Sequence, residues 1–162
     1  MTISAAILTV SDSCHKGLRQ DASGPRLRIL LAESGYEVKT ARIVPDDVER
    51  IASTLRELSN EVRFIVTTGG TGIATRDVTP EATRAVCERV LDGIAELVRR
   101  EGVKHTPLAA LSRGVCATLG RSLVLNLPGS PSGAEQSLMA VLPLIPHALD
   151  LLAGKTEHSG AR

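Results

Sequence analysis

The sequence predicts an α/β fold: a three-layer α/β/α domain built on a mostly parallel central sheet. Strand-like runs alternate with amphipathic helical patterns from the first residues onward, the arrangement that gives parallel strands covered on both faces. The strand-like runs are largely apolar, as expected where both sides are buried. Polar, often glycine-rich segments follow one strand after another, and in an open parallel sheet such loops gather along a single edge, where ligands generally bind.

Residues 3–10 read as a buried strand, followed by a polar loop through Asp21. A helix is expected from about Ser23-Gly24-Pro25, with Leu27, Leu30 and Leu31 at helical spacing and a stop at Gly35. Val38–Val44 forms the second strand, and the helix after Pro45-Asp46-Asp47 carries Val48, Ile51, Ala52, Leu55 and Leu58 on one face. Phe64-Ile65-Val66 is a short third strand running into Thr67-Thr68 and a glycine-rich loop. A helical stretch follows from Pro80 to about Glu101, interrupted near Asp92-Gly93. Ser122–Leu127 is a further strand, to which Val115–Thr118 can pair across Leu119-Gly120. One or two helices between Gly133 and Leu152 close the domain, which spans 3–153, and a polar tail occupies 154–162.

The composition narrows the function. The chain of 162 residues fits one domain able to bury its own core, and its 19 basic and 18 acidic residues are mixed along its length. No basic cluster marks a nucleic-acid or membrane surface. With Tyr36 and Phe64 the only aromatic residues, surfaces for stacking bases are nearly absent. Any flat heterocycle must therefore be held by aliphatic contacts and backbone hydrogen bonds. Cys14, Cys87 and Cys116 are widely spaced, as expected of reduced thiols and not of a disulfide frame or zinc site. The four histidines show no ligand or triad spacing. The chain enters a strand at once without a signal-peptide pattern, and its most apolar stretch, 138–153, is broken by Pro143, Pro146, His147 and Asp150. A cytoplasmic location is expected.

Four post-strand segments are candidates for the site: Ser11-Asp12-Ser13, Pro45-Asp46-Asp47, Thr68-Gly69-Gly70-Thr71-Gly72 and Pro128-Gly129-Ser130. The clustered glycines let a backbone turn with φ > 0 and bring N–H groups close to an anion, although a tight strand exit would need them too. Neither a Walker loop nor a G-x-G-x-x-G fingerprint is present. Thr79-Pro80-Glu81 reads as a helix start with Thr79 as cap. Asp77 precedes that cap beside the glycines; it could make an Asx-turn, pair with Arg76, or serve the site. Asp46 could open a capping box with Glu49 or face the pocket. Two aspartates at adjacent strand ends beside a phosphate-like loop could together hold Mg²⁺, which favours carboxylates plus phosphate oxygens. Leu127-Pro128-Gly129-Ser130-Pro131 makes a stiff turn suited to recognition, and Gly129-Ser-Pro-Ser132-Gly133 does not match a hydrolase nucleophile elbow.

Taken together, these segments resemble the molybdopterin-binding family, which includes bacterial molybdopterin adenylyltransferases, shorter MoaB-like proteins and the G domain of gephyrin. The resemblance rests on Thr9-Val10-Ser11-Asp12-Ser13, Ser23-Gly24-Pro25, Val44-Pro45-Asp46, Thr68 through Gly72, Arg76 through Thr83, Leu111-Ser112-Arg113 and Asn126-Leu127-Pro128-Gly129, in family order over nearly the whole chain. It implies a homotrimer and the reaction of molybdopterin with ATP to give adenylyl-molybdopterin and pyrophosphate, with Mg²⁺ as cofactor. It also implies that Asp46 and Asp77 occupy the family's catalytic, metal-holding positions. By the same resemblance Ser11, Asp12, Gly69, Gly70, Thr71, Gly72, Ser112, Arg113, Asn126, Pro128, Gly129 and Ser130 bind substrate. A trimer that carries or scaffolds the pterin without transferring AMP is the alternative the resemblance allows.

Overall fold

The computed structural model describes residues 2–156. The strands are β1 (Ile3–Val10), β2 (Tyr36–Val44), β3 (Phe64–Thr68), β4 (Arg89–Val90), β5 (Cys116–Leu119) and β6 (Ser122–Leu127). The helices are α1 (Asp12–His15), α2 (Ser23–Glu33), α3 (Val48–Glu61), α4 (Thr79–Val86), α5 (Asp92–Val103), α6 (Pro131–Val141) and α7 (Ile145–Leu152), with 3-10 turns at Pro107–Leu111 and Leu142–Leu144. The sheet order is β2-β1-β3-β6-β5-β4. β2, β1, β3 and β6 are mutually parallel, and β5 and β4 add antiparallel at one side.

Alternation along the strands builds two cores, one on each face. Ala5, Ile7, Phe64, Val66, Leu123, Leu125 and Leu127 face α2, α5, α6 and α7 through Leu27, Leu31, Val98, Leu138, Val141, Ile145 and Leu149. Ala6, Leu8, Val10, Ile65 and Val124 face α3 and α4 through Ile51, Leu55, Leu58 and Ala82. These are the two outer layers the strand–helix alternation predicts.

The helical stretch after the glycine loop is interrupted, but not at the expected place. The break is at Cys87–Leu91, where Arg89 and Val90 add to β5, and Asp92-Gly93 instead opens α5. The polar loop after β1 contains the four-residue α1, capped by Ser11, whose hydroxyl accepts the Cys14 N–H at 3.2 Å. Of the expected polar tail, Lys155 pairs with Asp150 at 2.9 Å, and residues 157–162 lie outside the described residues.

Burial separates the three thiols. Cys116 is buried in β5 and its thiol is pushed up to about 12; burial also lifts Cys87 to about 11. At about pH 8 a thiol reagent is expected to reach the partly exposed Cys14, to react slowly at Cys87, and to reach the buried Cys116 only after denaturation, because access and the thiolate form govern reactivity. Rapid labelling of Cys116 in the native protein would contradict the packing around β5.

Candidate active site

Register brings the expected loops together. Val10 is opposite Val44, Thr9 opposite Thr68, and Thr68 opposite Leu127, so β1, β2, β3 and β6 end at one level. The ladder continues past the strand ends: the Ser11 N–H donates to Val44 O at 3.0 Å and the Gly69 N–H to Leu127 O at 3.1 Å. The segments beginning at Ser11, Pro45, Gly69 and Pro128 therefore meet along one edge.

Gly69 and Gly70 have φ of 99° and 68°, the left-handed region that side chains disfavour. A Cβ on Gly69 would lie 2.3 Å from Val10 O, and one on Gly70 would lie 2.3 Å from the Thr79 hydroxyl and 3.2 Å from Asp46 Oδ1. The loop is held by Thr79, whose hydroxyl donates to Gly69 O at 2.9 Å and whose N–H donates to Gly70 O at 3.1 Å. Thr79 is thus the first residue of α4 and a clamp on the glycine loop, not the side-chain cap expected of it. The N–H groups of Gly70, Thr71 and Gly72 have no protein acceptor among the described residues, and neither do those of Gly129 and Ser130.

Asp12 and Asp46 clasp each other across the ends of β1 and β2. The Asp12 N–H donates to Asp46 Oδ2 at 2.8 Å and the Asp46 N–H to Asp12 Oδ1 at 2.9 Å. The helix-cap alternative for Asp46 fails: its neighbour Asp47 caps α3, accepting from the Arg50 N–H at 2.9 Å. Asp46 Oδ1 has no hydrogen-bond partner among the described residues and points along Gly70. Burial holds the Asp46 carboxyl above its ordinary range; the Asp12 N–H opposes that shift, and the charges of Asp12 and Asp77 add to it. Arg76 grips Asp12 with Nε and Nη2, both at 2.9 Å, which holds the Asp12 carboxyl below its ordinary range. Arg76 therefore pairs with Asp12 and not with Asp77.

Asp77 does make a local turn. Its Oδ2 accepts the Ala74 N–H at 3.0 Å, and its own N–H donates to Ala74 O at 2.9 Å. That leaves Oδ1 without a partner among the described residues. A Cβ on Gly72 would lie 2.7 Å from Asp77 Oδ2. The two carboxylates thus border the same loop, Asp46 at Gly70 and Asp77 at Gly72.

Two cavities adjoin this loop and share Gly129 and Ser130. One, about 370 Å³, lies between Thr71-Gly72 and Pro128–Ser130, with Ser112, Leu108 and Leu111 on its far wall. The other, about 360 Å³, lies between Ser11, Cys14, Asp21 and Gly69. Ser130 caps α6 by accepting the Gly133 N–H at 3.2 Å. Asp46 and Asp77 line neither cavity; they flank Gly70–Gly72 where the two approach. Four expected substrate-binding residues line neither cavity: Asp12, taken up by Asp46 and Arg76, Gly70, against Thr79, and Arg113 and Asn126. Asn126 is 2 % exposed and spends its amide inside, accepting the Val115 N–H and donating to the Thr67 and Thr83 hydroxyls. Arg113 lines neither cavity and bonds to the glycine loop from behind. Sequence reasoning missed Asp21, which accepts from the Thr9 hydroxyl at 2.7 Å and the Gly24 N–H at 3.0 Å on the rim of the second cavity. Its position three residues before Gly24 at a helix start was the available signal.

A family model described as "Probable molybdopterin binding domain" matches residues 6–147. The chain belongs to this family. Among its relatives, the molybdopterin adenylyltransferase of Helicobacter pylori strain J99 is 40% identical over 159 residues, covering 94% of this chain and 89% of that protein. The molybdenum cofactor synthesis protein cinnamon of Drosophila melanogaster is 42% identical over 154 residues, 93% of this chain, but the chain spans only 26% of that longer protein. The crystal structure of the molybdopterin biosynthesis enzyme MoaB from Thermus thermophilus superposes with a TM-score of 0.89 at 49% identity, covering 95% of this chain and 98% of that one.

Proposed function

We propose that this member of the molybdopterin-binding family acts in molybdenum cofactor biosynthesis by transferring the adenylyl group of ATP to molybdopterin, releasing pyrophosphate. One arrangement carries the reading: two carboxylates, Asp46 and Asp77, flank a glycine loop whose amides have no protein acceptor among the described residues, where two cavities adjoin. The adenylyltransferase relatives, matched over most of the chain, support it.

The phosphate of molybdopterin attacks the α-phosphorus of ATP, a new P–O bond forms, and the bond from the α-phosphorus to the pyrophosphate oxygen breaks. Such a transfer depends on positioning and charge neutralisation more than on covalent catalysis. Gly129 and Ser130 border both cavities, so ligands seated in the two would present their phosphates to one another. The amides of Gly70, Thr71 and Gly72 are placed to receive phosphate oxygens. With so few aromatic residues, the heterocycles rest on aliphatic walls such as Leu108 and Leu111 and on backbone groups.

Among the described residues no three or more His, Cys, Asp or Glu side chains gather to hold a metal. The two carboxylates nonetheless fit Mg²⁺, because Asp46 Oδ1, beside Gly70, and Asp77 Oδ1 have no hydrogen-bond partner among the described residues. This is the partial ligand set Mg²⁺ takes when phosphates complete its shell. Held by Asp46 and Asp77, Mg²⁺ would screen repulsion between the two substrates' phosphates and polarise the α-phosphoryl group.

The family description, a probable molybdopterin binding domain, names binding alone and leaves a second reading, a pterin-binding carrier that transfers nothing. Incubation of the purified protein with molybdopterin, ATP and Mg²⁺ separates the two: adenylyl-molybdopterin and pyrophosphate are expected, and bound but unmodified molybdopterin would establish the carrier. We place the reaction in the cytoplasm; no helix among the described residues is long and apolar enough to cross a membrane.

The assembly is a homotrimer. Family membership supports this, and Leu18, Ile73 and Leu108, 79%, 72% and 70% exposed, are apolar side chains that a neighbouring copy could cover. Light scattering at micromolar concentration is expected to give three times the chain mass; a stable monomer would refute it.

A further inference from the structure

We propose that Arg113 is a positioning residue that sets the place of Asp77 and does not touch substrate. The proposal rests on the adenylyl-transfer reading. Arg113 reaches both ends of the segment that carries Asp77. Its Nε donates to Gly72 O at 2.8 Å, its Nη2 donates to Asp77 O at 2.8 Å, and its backbone N–H donates to Thr71 O at 2.8 Å. Its Nη1 pairs with Glu81 in the first turn of α4. All three guanidinium nitrogens are thus engaged by protein acceptors, and the planar fork spans the loop as a lysine ammonium cannot.

The segment needs such a tie. Ile73, Ala74, Thr75 and Arg76 are exposed, and the Asp77–Ala74 turn is purely local. Thr79 anchors Gly69 and Gly70 and the Arg76 side chain reaches Asp12, but the backbone carbonyls of Gly72 and Asp77 are held by Arg113. Arg113 is braced in turn, because Arg99 Nη1 donates to Gly114 O at 3.1 Å and Ser112 O at 3.4 Å on either side of it. Although burial works against it, the hydrogen bond and charge of Arg113 hold the Glu81 carboxyl below its ordinary range, so the ion pair is formed at neutral pH. The guanidinium therefore joins the Asp77 loop, the glycine loop and α4.

Arg113→Lys tests this, since it keeps the charge and removes the fork. If Arg113 bound substrate through its charge, lysine would retain much of kcat and raise KM. For a positioning residue, kcat is expected to fall roughly tenfold to a hundredfold, the size of effect a small misplacement of a reacting group produces, while KM for ATP and molybdopterin stays within about twofold. Amide hydrogen exchange at Ala74 and Asp77, the hydrogen-bonded amides of the segment, is expected to quicken in the same variant while the strands keep their protection. A raised KM at unchanged kcat overturns the proposal, and so does unchanged exchange across the loop. Should Arg113→Lys fail to fold, Glu81→Gln loosens only one arm, with faster exchange at the same amides and a smaller loss of kcat expected. If the wild-type protein forms no adenylyl-molybdopterin, the adenylyl-transfer reading falls. The exchange comparison then still decides whether Arg113 holds the loop.

Discussion

Asp77→Asn is expected to fold, to bind molybdopterin with little loss, and to form adenylyl-molybdopterin about 10²–10³ more slowly, equivalent to roughly 3–4 kcal/mol of transition-state stabilisation. The substitution isolates charge from geometry because the local role of Asp77 is fully visible. Its carboxylate accepts one hydrogen bond, from the Ala74 N–H, and an asparagine carbonyl can accept the same bond. The Asp77 N–H to Ala74 O bond and the Arg113 bond to the Asp77 carbonyl involve only backbone atoms of Asp77 and persist. What disappears is the negative charge beside Gly72, which matters most as charge moves toward pyrophosphate in the transition state. A loss in kcat with KM nearly unchanged is the signature of that role. Single-turnover measurement of product formation checks it, and a mutant with near-wild-type turnover would reduce Asp77 to its turn.

Much of this was legible in the sequence, and the exceptions share a cause. The strands and the edge where their loops gather follow from apolar runs and punctuation, which are local signals. The misread partners are decided by residues distant in sequence. Asp46 and Asp47 are chemically identical neighbours, and which of them caps α3 is settled by Asp12, 34 positions away, taking Asp46 into the clasp. Arg76 lies next to Asp77, yet its guanidinium reaches Asp12, 64 positions away. Asn126 sits next to a pocket turn in sequence, but the two-residue alternation of β6 turns it to the same side as Val124, toward α4, where Thr83 receives it. The four-residue α1 is too short for a periodic pattern to show. In each case the sequence places the residue on a segment that meets the others along one edge, and its individual partners are set by tertiary contacts.

The glycine loop shows how far those duties interlock. Only a side-chain-free residue fits at Gly70, because the position needs both a positive φ and the space occupied by the Thr79 hydroxyl. The loop is therefore a structural joint as well as a ligand surface. Effects on folding and on turnover have to be measured together at this position.

Gly70→Val is accordingly expected to lower both stability and activity, in contrast to a purely ligand-facing glycine, where folding would be spared. A β-branched residue at φ 68° is strained by roughly 1–2 kcal/mol. Its Cβ would also sit 2.3 Å from the Thr79 hydroxyl, which is wholly buried and bonded to Gly69 O. Pushing Thr79 aside leaves a buried polar group without its partner, a cost of about 1–3 kcal/mol. Together these remove a sizeable part of the roughly 5–15 kcal/mol that stabilises a domain, and lower Tm by about 4–20 °C at about 2–4 °C per kcal/mol for a chain of this size. Gly72→Ala is the control: φ at Gly72 is not positive, and its Cβ would meet only the Asp77 carboxylate, at 2.7 Å. That variant is expected to keep its Tm within about 4 °C, the shift that about 1 kcal/mol gives, while losing turnover because Asp77 is displaced. Calorimetry beside the adenylyl-transfer assay checks both. A Gly70→Val protein that melts with the wild type would show that Thr79 can yield without cost, and the loop would then be a ligand surface alone.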